Sequence, residues 1–285
     1  MTRRTANSQA LIDAILQVFQ KYKPPLTVRQ IYYQLASVGL VPLSQQGYRQ
    51  AQRLLLEVRE RGVVPWAYFA DRTRRRIQPA QWNGLADFAD SVSRQYRRDL
   101  WQSQPEHVEF WLEKDAMAGF VGEVLHGYGV PLYVARGFSS ATFIYEAAGA
   151  LAEVNKPICI YYLGDHDPSG MAIEQSLISR LKEFGVDAAF SRLAITLDDI
   201  DTFALKPLQA KKSDTRYRGY VAEHGTATVE LDALPPDELR RRIVSAVESH
   251  INVTDWNNLL RTEKLERETF VGLAERIRGA GGEHG

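Results

Sequence analysis

The residues of this chain that could do chemistry fall in three short stretches. WLEKDA places Glu113 just after the apolar run 108–112, and YYLGDHDPSG places Asp165 and Asp167 after a later one. Side chains two apart in an extended segment point the same way, so both aspartates can reach one site while His166 points elsewhere, as a bystander. Ligands of parallel sheets bind at the carboxyl ends of strands. Three carboxylates converging there repel one another unless a hard cation neutralises them. Mg²⁺, with Mn²⁺ as an alternative, suits such an all-oxygen set, because it keeps several waters and a substrate phosphate. The expected metal ligands are therefore Glu113, Asp165 and Asp167.

The third stretch is VRQIYYQLASVG, residues 28–39, with its two adjacent tyrosines. At about 100° per residue, Val28, Ile31, Tyr32, Leu35 and Val38 share one face, which reads as the buried stripe. Tyr33 lies about 100° further round, on the polar side, one turn after Arg29. A guanidinium so placed lowers a phenol's pKa and can hold a phosphate. A phenol in that position can attack phosphorus.

Elements to position these groups are legible from period and caps. Apolar residues Leu11, Ile15, Phe19 and Tyr22 predict a helix over 8–22, stopped by Pro24 and Pro25. Thr27 and Gln30 form a T-x-x-Q capping box for a second helix, which Gly39 ends. Ser44 caps a third, with Tyr48, Ala51, Leu55 and Val58 inward and Gly62 as its stop. VVPWAYFADRTRRR then reads as a β-ribbon followed by a basic cluster. Three helices and a ribbon describe a winged helix-turn-helix. Arg49 and Arg53 share the third helix's outer face, and Arg72, Arg74, Arg75 and Arg76 sit on or after the wing, all placed to meet DNA phosphates.

A connecting helix over 82–101 and a linker SQPEH follow. Strands over 108–112, 130–137, 158–167 and 188–195 then alternate with helices, which predicts a parallel α/β sheet. Residues 198–230 are turn-rich and weakly patterned, and 236–251 and 255–277 read as C-terminal helices. The expected organisation is a DNA-binding domain over 1–76, a connection over 77–107 and a metal-binding α/β domain over 108–285.

Composition agrees with a globular chain: 285 residues, 45% hydrophobic and 25% charged. Its zero net charge conceals a split. The first hundred residues hold 16 basic and 7 acidic side chains, a net +9, and the rest hold 19 and 28, a net −9. The basic part predicts a polyanion partner and the acidic part a divalent cation. A single cysteine excludes an internal disulfide, and no apolar run approaches about 18 residues. A cytoplasmic protein associated with the nucleoid, with no signal peptide and no membrane contact, is expected.

In order and spacing, these motifs resemble a family. Glu113 with GDHDPSG resembles the Toprim signature, a glutamate on one strand and D-x-D on a later one. A preceding winged helix containing RQIYY resembles the A subunit of topoisomerase VI and the related meiotic double-strand-break protein. WLEKDAM is similar to that family's glutamate segment and ARGFSSA to its glycine-containing loop, and the resemblance covers about residues 11–181.

The resemblance implies a winged helix followed by a Toprim-like domain with C-terminal helices. It implies that Tyr33 attacks a DNA phosphodiester, leaving a 5′-phosphotyrosyl link and a 3′-hydroxyl. Arg29 would lie near the scissile phosphate, and Glu113, Asp165 and Asp167 would hold Mg²⁺. Lys114 and Arg136, in the two matched loops, would contact DNA. Tyrosine and metal site come from different protomers in the family, so a homodimer is implied. Little precedes the first helix, where the family meets its ATPase B-type subunit, and the C-terminal VELDALPPDELRRRI resembles bacterial and phage Toprim proteins. Strand breakage or DNA binding is expected rather than ATP-driven topoisomerisation. Two alternatives stand beside covalent cleavage. One is a hydrolytic Toprim nuclease, similar in architecture to the nuclease subunit of the Wadjet plasmid-defence system. The other is a non-catalytic DNA-binding protein.

Overall fold

Local signals set the first three helices. In the computed structural model, which describes residues 6–69, 79–135 and 141–281, α1 (Ala6–Lys21) buries Leu11, Ile12, Ile15 and Val18. α2 (Val28–Ser37) opens on the expected capping box. The Thr27 hydroxyl accepts from the Gln30 amide at 3.0 Å, and the Gln30 side-chain oxygen accepts from the Thr27 amide at 2.8 Å. α3 (Gln45–Glu60) is capped by Ser44, which accepts from the Gly47 amide at 3.1 Å. A Cβ on Gly47 would lie 2.0 Å from the Pro42 carbonyl oxygen, so only glycine lets α3 start this close to the preceding turn.

Two expectations for this region are corrected. Val38 is 68% exposed, while Tyr33 is only 8% exposed and joins the core beside Tyr32. α2 is covered on two sides, because the turn 231–233 and the segment around Lys206 close over its second face. The Lys206 ammonium donates to the carbonyls of Ala36 and Ser37 at 2.8 and 2.9 Å, anchoring that cover to the helix end. The stretch after α3 is not a ribbon among the described residues. It forms a short turn over Trp66–Tyr68 and one bridge between Leu26 and Phe69. The Tyr68 and Phe69 rings meet Phe19 of α1 at an angle, and Arg59 lies over the Trp66 and Phe69 rings, although Trp66 and Tyr68 stay exposed. Arg72, Arg74, Arg75, Arg76 and Arg136 lie outside the described residues.

The connecting helix is shorter than expected: α4 (Leu85–Gln95) ends before the chain enters β1 (His107–Leu112). β2 (Leu132–Val134), β3 (Ile158–Leu163) and β4 (Ala188–Ala194) complete a four-stranded parallel sheet of order β2-β1-β3-β4. The crossovers are α5 (Ala118–His126), α6 (Ala141–Ala152) and α7 (Pro168–Glu183). Strands buried on both faces read as near-continuous apolar runs: ICIYYL does, and VEFWL does but for Glu109, which is buried and accepts from the Trp111 indole at 3.0 Å. Val108, Phe110 and Leu112 face Phe120, Val121 and Val124 of α5. Trp111, Ile160 and Tyr162 face Ile144 and Leu151 of α6 and Ile173 and Leu177 of α7. The fold is thus mixed α/β.

The turn-rich, weakly patterned segment carries short elements. They are α8 (Leu197–Thr202), an antiparallel pair β5 (Leu208–Gln209) and β6 (Ala227–Thr228), and α9 (Tyr217–His224) between those strands. Elements this short leave too few residues for a period to show. α10 (Pro236–Glu248) then packs on the α5 side of the sheet, and α11 (Val253–Gly281) runs along α4. Tyr96 and Arg98 reach from α4's end to Glu266 of α11, at 2.6 and 2.5 Å. Among the described residues, no helix is long and apolar enough to cross a membrane.

Candidate active site at the carboxyl ends of the strands

The strand order reverses between β1 and β3, and the crevice outside such a reversal is where open parallel sheets take ligands. Glu113 follows β1, and its amide donates to the Leu163 carbonyl at 2.9 Å, fixing its backbone at that edge. Its carboxylate crosses to the loop after β3. There Oε2 accepts from the Asp165 amide at 3.0 Å and from the Tyr162 hydroxyl at 3.4 Å. Gly170 makes room for this contact: a Cβ there would stand 3.0 Å from Glu113 Oε2 and 2.2 Å from the Asp165 carbonyl oxygen. Arg192 braces the same loop, donating to the carbonyls of Gly164 and Asp165 at 3.1 and 3.2 Å and pairing with Glu174 at 2.6 Å.

The D-x-D segment is not a strand. β3 stops at Leu163, and residues 164–167 turn, so the two aspartates diverge. Asp165 Oδ1 accepts from the Leu231 amide at 2.8 Å, and Oδ2 lies 3.2 Å from Lys114. Asp167 caps α7, its Oδ1 accepting from the Ser169 and Gly170 amides at 2.9 and 2.8 Å. The oxygens of Glu113, Asp165 and Asp167 consequently do not gather within 4.8 Å of one another. His166 behaves as expected of a bystander. Its ring meets the Tyr220 hydroxyl at 2.7 Å, and its backbone bridges Val229.

Lys114, expected at DNA, stands inside this cluster. Its ammonium contacts Asp232 at 2.7 Å, Glu230 at 2.9 Å and Asp165 at 3.2 Å. Glu230 also pairs with Arg29 of α2, and Asp232 accepts from the Thr27 hydroxyl at 3.2 Å. Glu230 and Asp232 were not singled out in the sequence. The i, i+2 acids of VELDAL, between apolar residues, were the available signal. Arg29 lies 5.1 Å from the Tyr48 ring centre, and its Nε has no hydrogen-bond partner among the described residues. Arg49 and Arg53 are exposed on the outer face of α3.

The electrostatics follow from these neighbours. Burial, then the charges of Asp165 and Asp167, push the Glu113 carboxyl up to about 7. Burial also raises Asp165, against the opposing pull of Lys114 and the Leu231 amide. Burial would raise Glu230 too, but Lys114 and Arg29 outweigh it and leave that carboxyl below its ordinary value. Burial alone would lower Lys114; Asp232, Asp165 and Glu230 instead hold it well above the usual lysine range. Tyr33 is raised, first by burial and then by Glu230, more than Arg29 and Lys114 lower it. Five carboxylates (Glu113, Asp165, Asp167, Glu230, Asp232) thus face two cations (Lys114, Arg29), a formal excess of three negative charges when all are ionised. The donors are all oxygens, the type a hard divalent cation takes, but they stand apart: Asp165 is held by Lys114 and the Leu231 amide, and one oxygen of Asp167 by the start of α7.

No protein-family model matches the chain, and no curated protein matches it.

Proposed function

We propose that this chain is a DNA-binding, Mg²⁺-dependent strand-breaking protein of the winged-helix and Toprim kind. The observation that carries the reading is the position of Glu113 and Asp165 on either side of the β1/β3 reversal, among side chains of net negative charge. Glu113, Asp165 and the uncommitted oxygen of Asp167 would hold the ion, which neutralises charge developing on the scissile phosphate when bound. DNA would lie across α3, where Arg49 and Arg53 are exposed one turn apart, with Arg72, Arg74, Arg75, Arg76 and Arg136 as further contacts. A second copy of the chain would pair along the α4–α11 arm, where Leu85, Leu265 and Val271 are exposed.

Two nucleophiles are open to such a site, and one observation favours water. The Tyr33 phenol is 8% exposed, and burial together with Glu230 holds its proton on. A water held by the ion would need no emergence from the core, and its pKa would fall toward neutrality there. Water then attacks phosphorus, one P–O bond breaks, and a phosphate monoester and a hydroxyl result. In the covalent reading, Tyr33 emerges from its cover and attacks in place of water.

The test is relaxation or linearisation of supercoiled plasmid with Mg²⁺ or Mn²⁺, read on denaturing gels. Cutting that is lost in Glu113→Gln and kept in Tyr33→Phe, with no protein left on the DNA ends, supports hydrolysis. A 5′ adduct that disappears in Tyr33→Phe establishes the covalent reading. No cutting with either metal removes the enzyme and leaves a binding protein.

A further inference from the structure

At the opposite end of the same sheet lies a cluster that this function does not use. Glu106 immediately precedes β1, Cys159 is the second residue of β3 and pairs in register with Val108, and His250 follows α10. Strands of six residues put this end roughly 20 Å from Glu113. The Glu106 carboxylate, the Cys159 sulfur and a His250 ring nitrogen all lie within 4.8 Å of one another, the only such trio of metal-type donors among the described residues.

The His250 ring is held at both nitrogens. Nδ1 meets the Glu106 carboxylate, and Nε2 meets the Tyr161 hydroxyl at 2.8 Å. Tyr161 is two residues along β3 from Cys159 and projects from the same face. Its ring stands 5.7 Å from the imidazole, centre to centre, nearly edge-on. A ligating histidine characteristically gives its second ring nitrogen to such a partner. The His250 side chain is 11% exposed and that of Glu106 36%, so the trio is sheltered without being sealed. Glu106 also lines a cavity of about 370 Å³, together with Trp101, Val108, Pro131 and Lys156, so the carboxylate corner of the trio borders open space.

The geometry points to a zinc-binding site formed by Cys159, His250 and Glu106, with solvent as the fourth ligand. Sulfur, imidazole nitrogen and carboxylate oxygen together are a zinc donor set; Mg²⁺ does not take thiolate. Zinc bond lengths at tetrahedral angles place donors about 3.5 Å apart, within reach of side-chain rotations from the observed grouping. Thiolate and carboxylate balance the charge of the ion. On binding, the Cys159 proton leaves to solvent and sulfur bonds to the metal. The imidazole, bound to the metal through Nδ1, keeps its one proton on Nε2 and donates it to Tyr161. No electron is transferred. The ion would pin the starts of β1 and β3 to the junction of α10 and α11.

The experiment uses the full chain, stripped with chelator and titrated with Co²⁺ and then Zn²⁺. One equivalent of Co²⁺ should bind with a thiolate-to-cobalt charge-transfer band and tetrahedral d–d bands, both abolished by Zn²⁺. Cys159→Ser and Cys159→Ala should lose the charge-transfer band, and Tyr161→Phe should weaken binding about 10- to 100-fold. Glu113→Gln should leave the band intact, so the outcome does not depend on the proposed DNA site. Circular dichroism establishes which variants fold. A wild-type protein without a thiolate band, or Cys159→Ser binding Co²⁺ as tightly as wild type, overturns the site.

Discussion

Replacing Glu113 with glutamine should stabilise the protein at alkaline pH while abolishing its chemistry. Glutamine keeps the shape, and its oxygen can still accept from the Asp165 amide, but it removes the charge that burial, Asp165 and Asp167 oppose. The Glu113 carboxyl is raised from 4.5 to about 7, so between those values the folded state binds more protons than the unfolded one. Stability contributed by this group is therefore present below the unfolded value and lost as pH rises through the folded one. At about 1.4 kcal/mol per unit, the strain at pH 8 is at most about 3 kcal/mol. Urea melts at pH 5 and pH 8 measure it. The variant should gain up to that amount over wild type at pH 8 and less than about 1 kcal/mol at pH 5. Saturating Mg²⁺ should stabilise wild type, by about 2.7 kcal/mol at a hundredfold excess over Kd, and do little for the variant. Equal stabilities of the two proteins at pH 8, or an Mg²⁺ effect of the same size in both, would refute the argument.

Lys114→Met strands the fully buried Asp232 beside Asp165 and Glu230, and should cost about 3–5 kcal/mol in urea melts without metal. Added Mg²⁺ should recover part of that loss, and recovery should fail once Glu113 is also glutamine. Removing Arg49 and Arg53 together should weaken DNA binding at every sequence tested and lower the slope of log K against log salt by about one for each phosphate no longer neutralised. Tyr32→Ala should lose about 3 kcal/mol of stability as a buried ring disappears, because Tyr32 packs on Tyr48 and accepts from the Ser44 amide at 2.9 Å. Tyr33→Phe should change stability by less than about 1 kcal/mol, since the ring stays in place.

What the sequence made legible was local. Thr27 and Ser44 were readable as caps because a cap is decided within three residues, and Glu113 was readable at a strand end because β1 is mostly apolar. What it hid was non-local. A helical wheel gives α2 one buried face, but a turn some 200 residues later lays Leu231–Ala233 against another, and with the segment around Lys206 it covers Tyr33. Asp167 looked like a partner of Asp165, yet PSG after it starts a helix whose free amides claim its oxygen. Of the expected ribbon only residues 63–69 lie among the described residues, and there Tyr68 and Phe69 meet Phe19 of α1.

Those non-local contacts bear on how the proposed chemistry would be gated. Glu230 occupies the space between Arg29 and Lys114, the two cations nearest the acidic edge, and its carboxylate meets both as a phosphate oxygen would. The three links Arg29–Glu230, Glu230–Lys114 and Lys114–Asp165 run unbroken from the N-terminal helices to the loop after β3. A phosphate arriving at either cation must displace Glu230, and displacement loosens the other cation from it. Binding of DNA and exposure of the carboxylates would then be a single event. Glu230→Gln separates them: it lowers the barrier to phosphate entry and leaves the fold's apolar contacts untouched. DNA affinity should rise at low salt, with the gain shrinking as salt screens it. An unchanged affinity in Glu230→Gln, with the variant folded, would mean that DNA does not enter between Arg29 and Lys114.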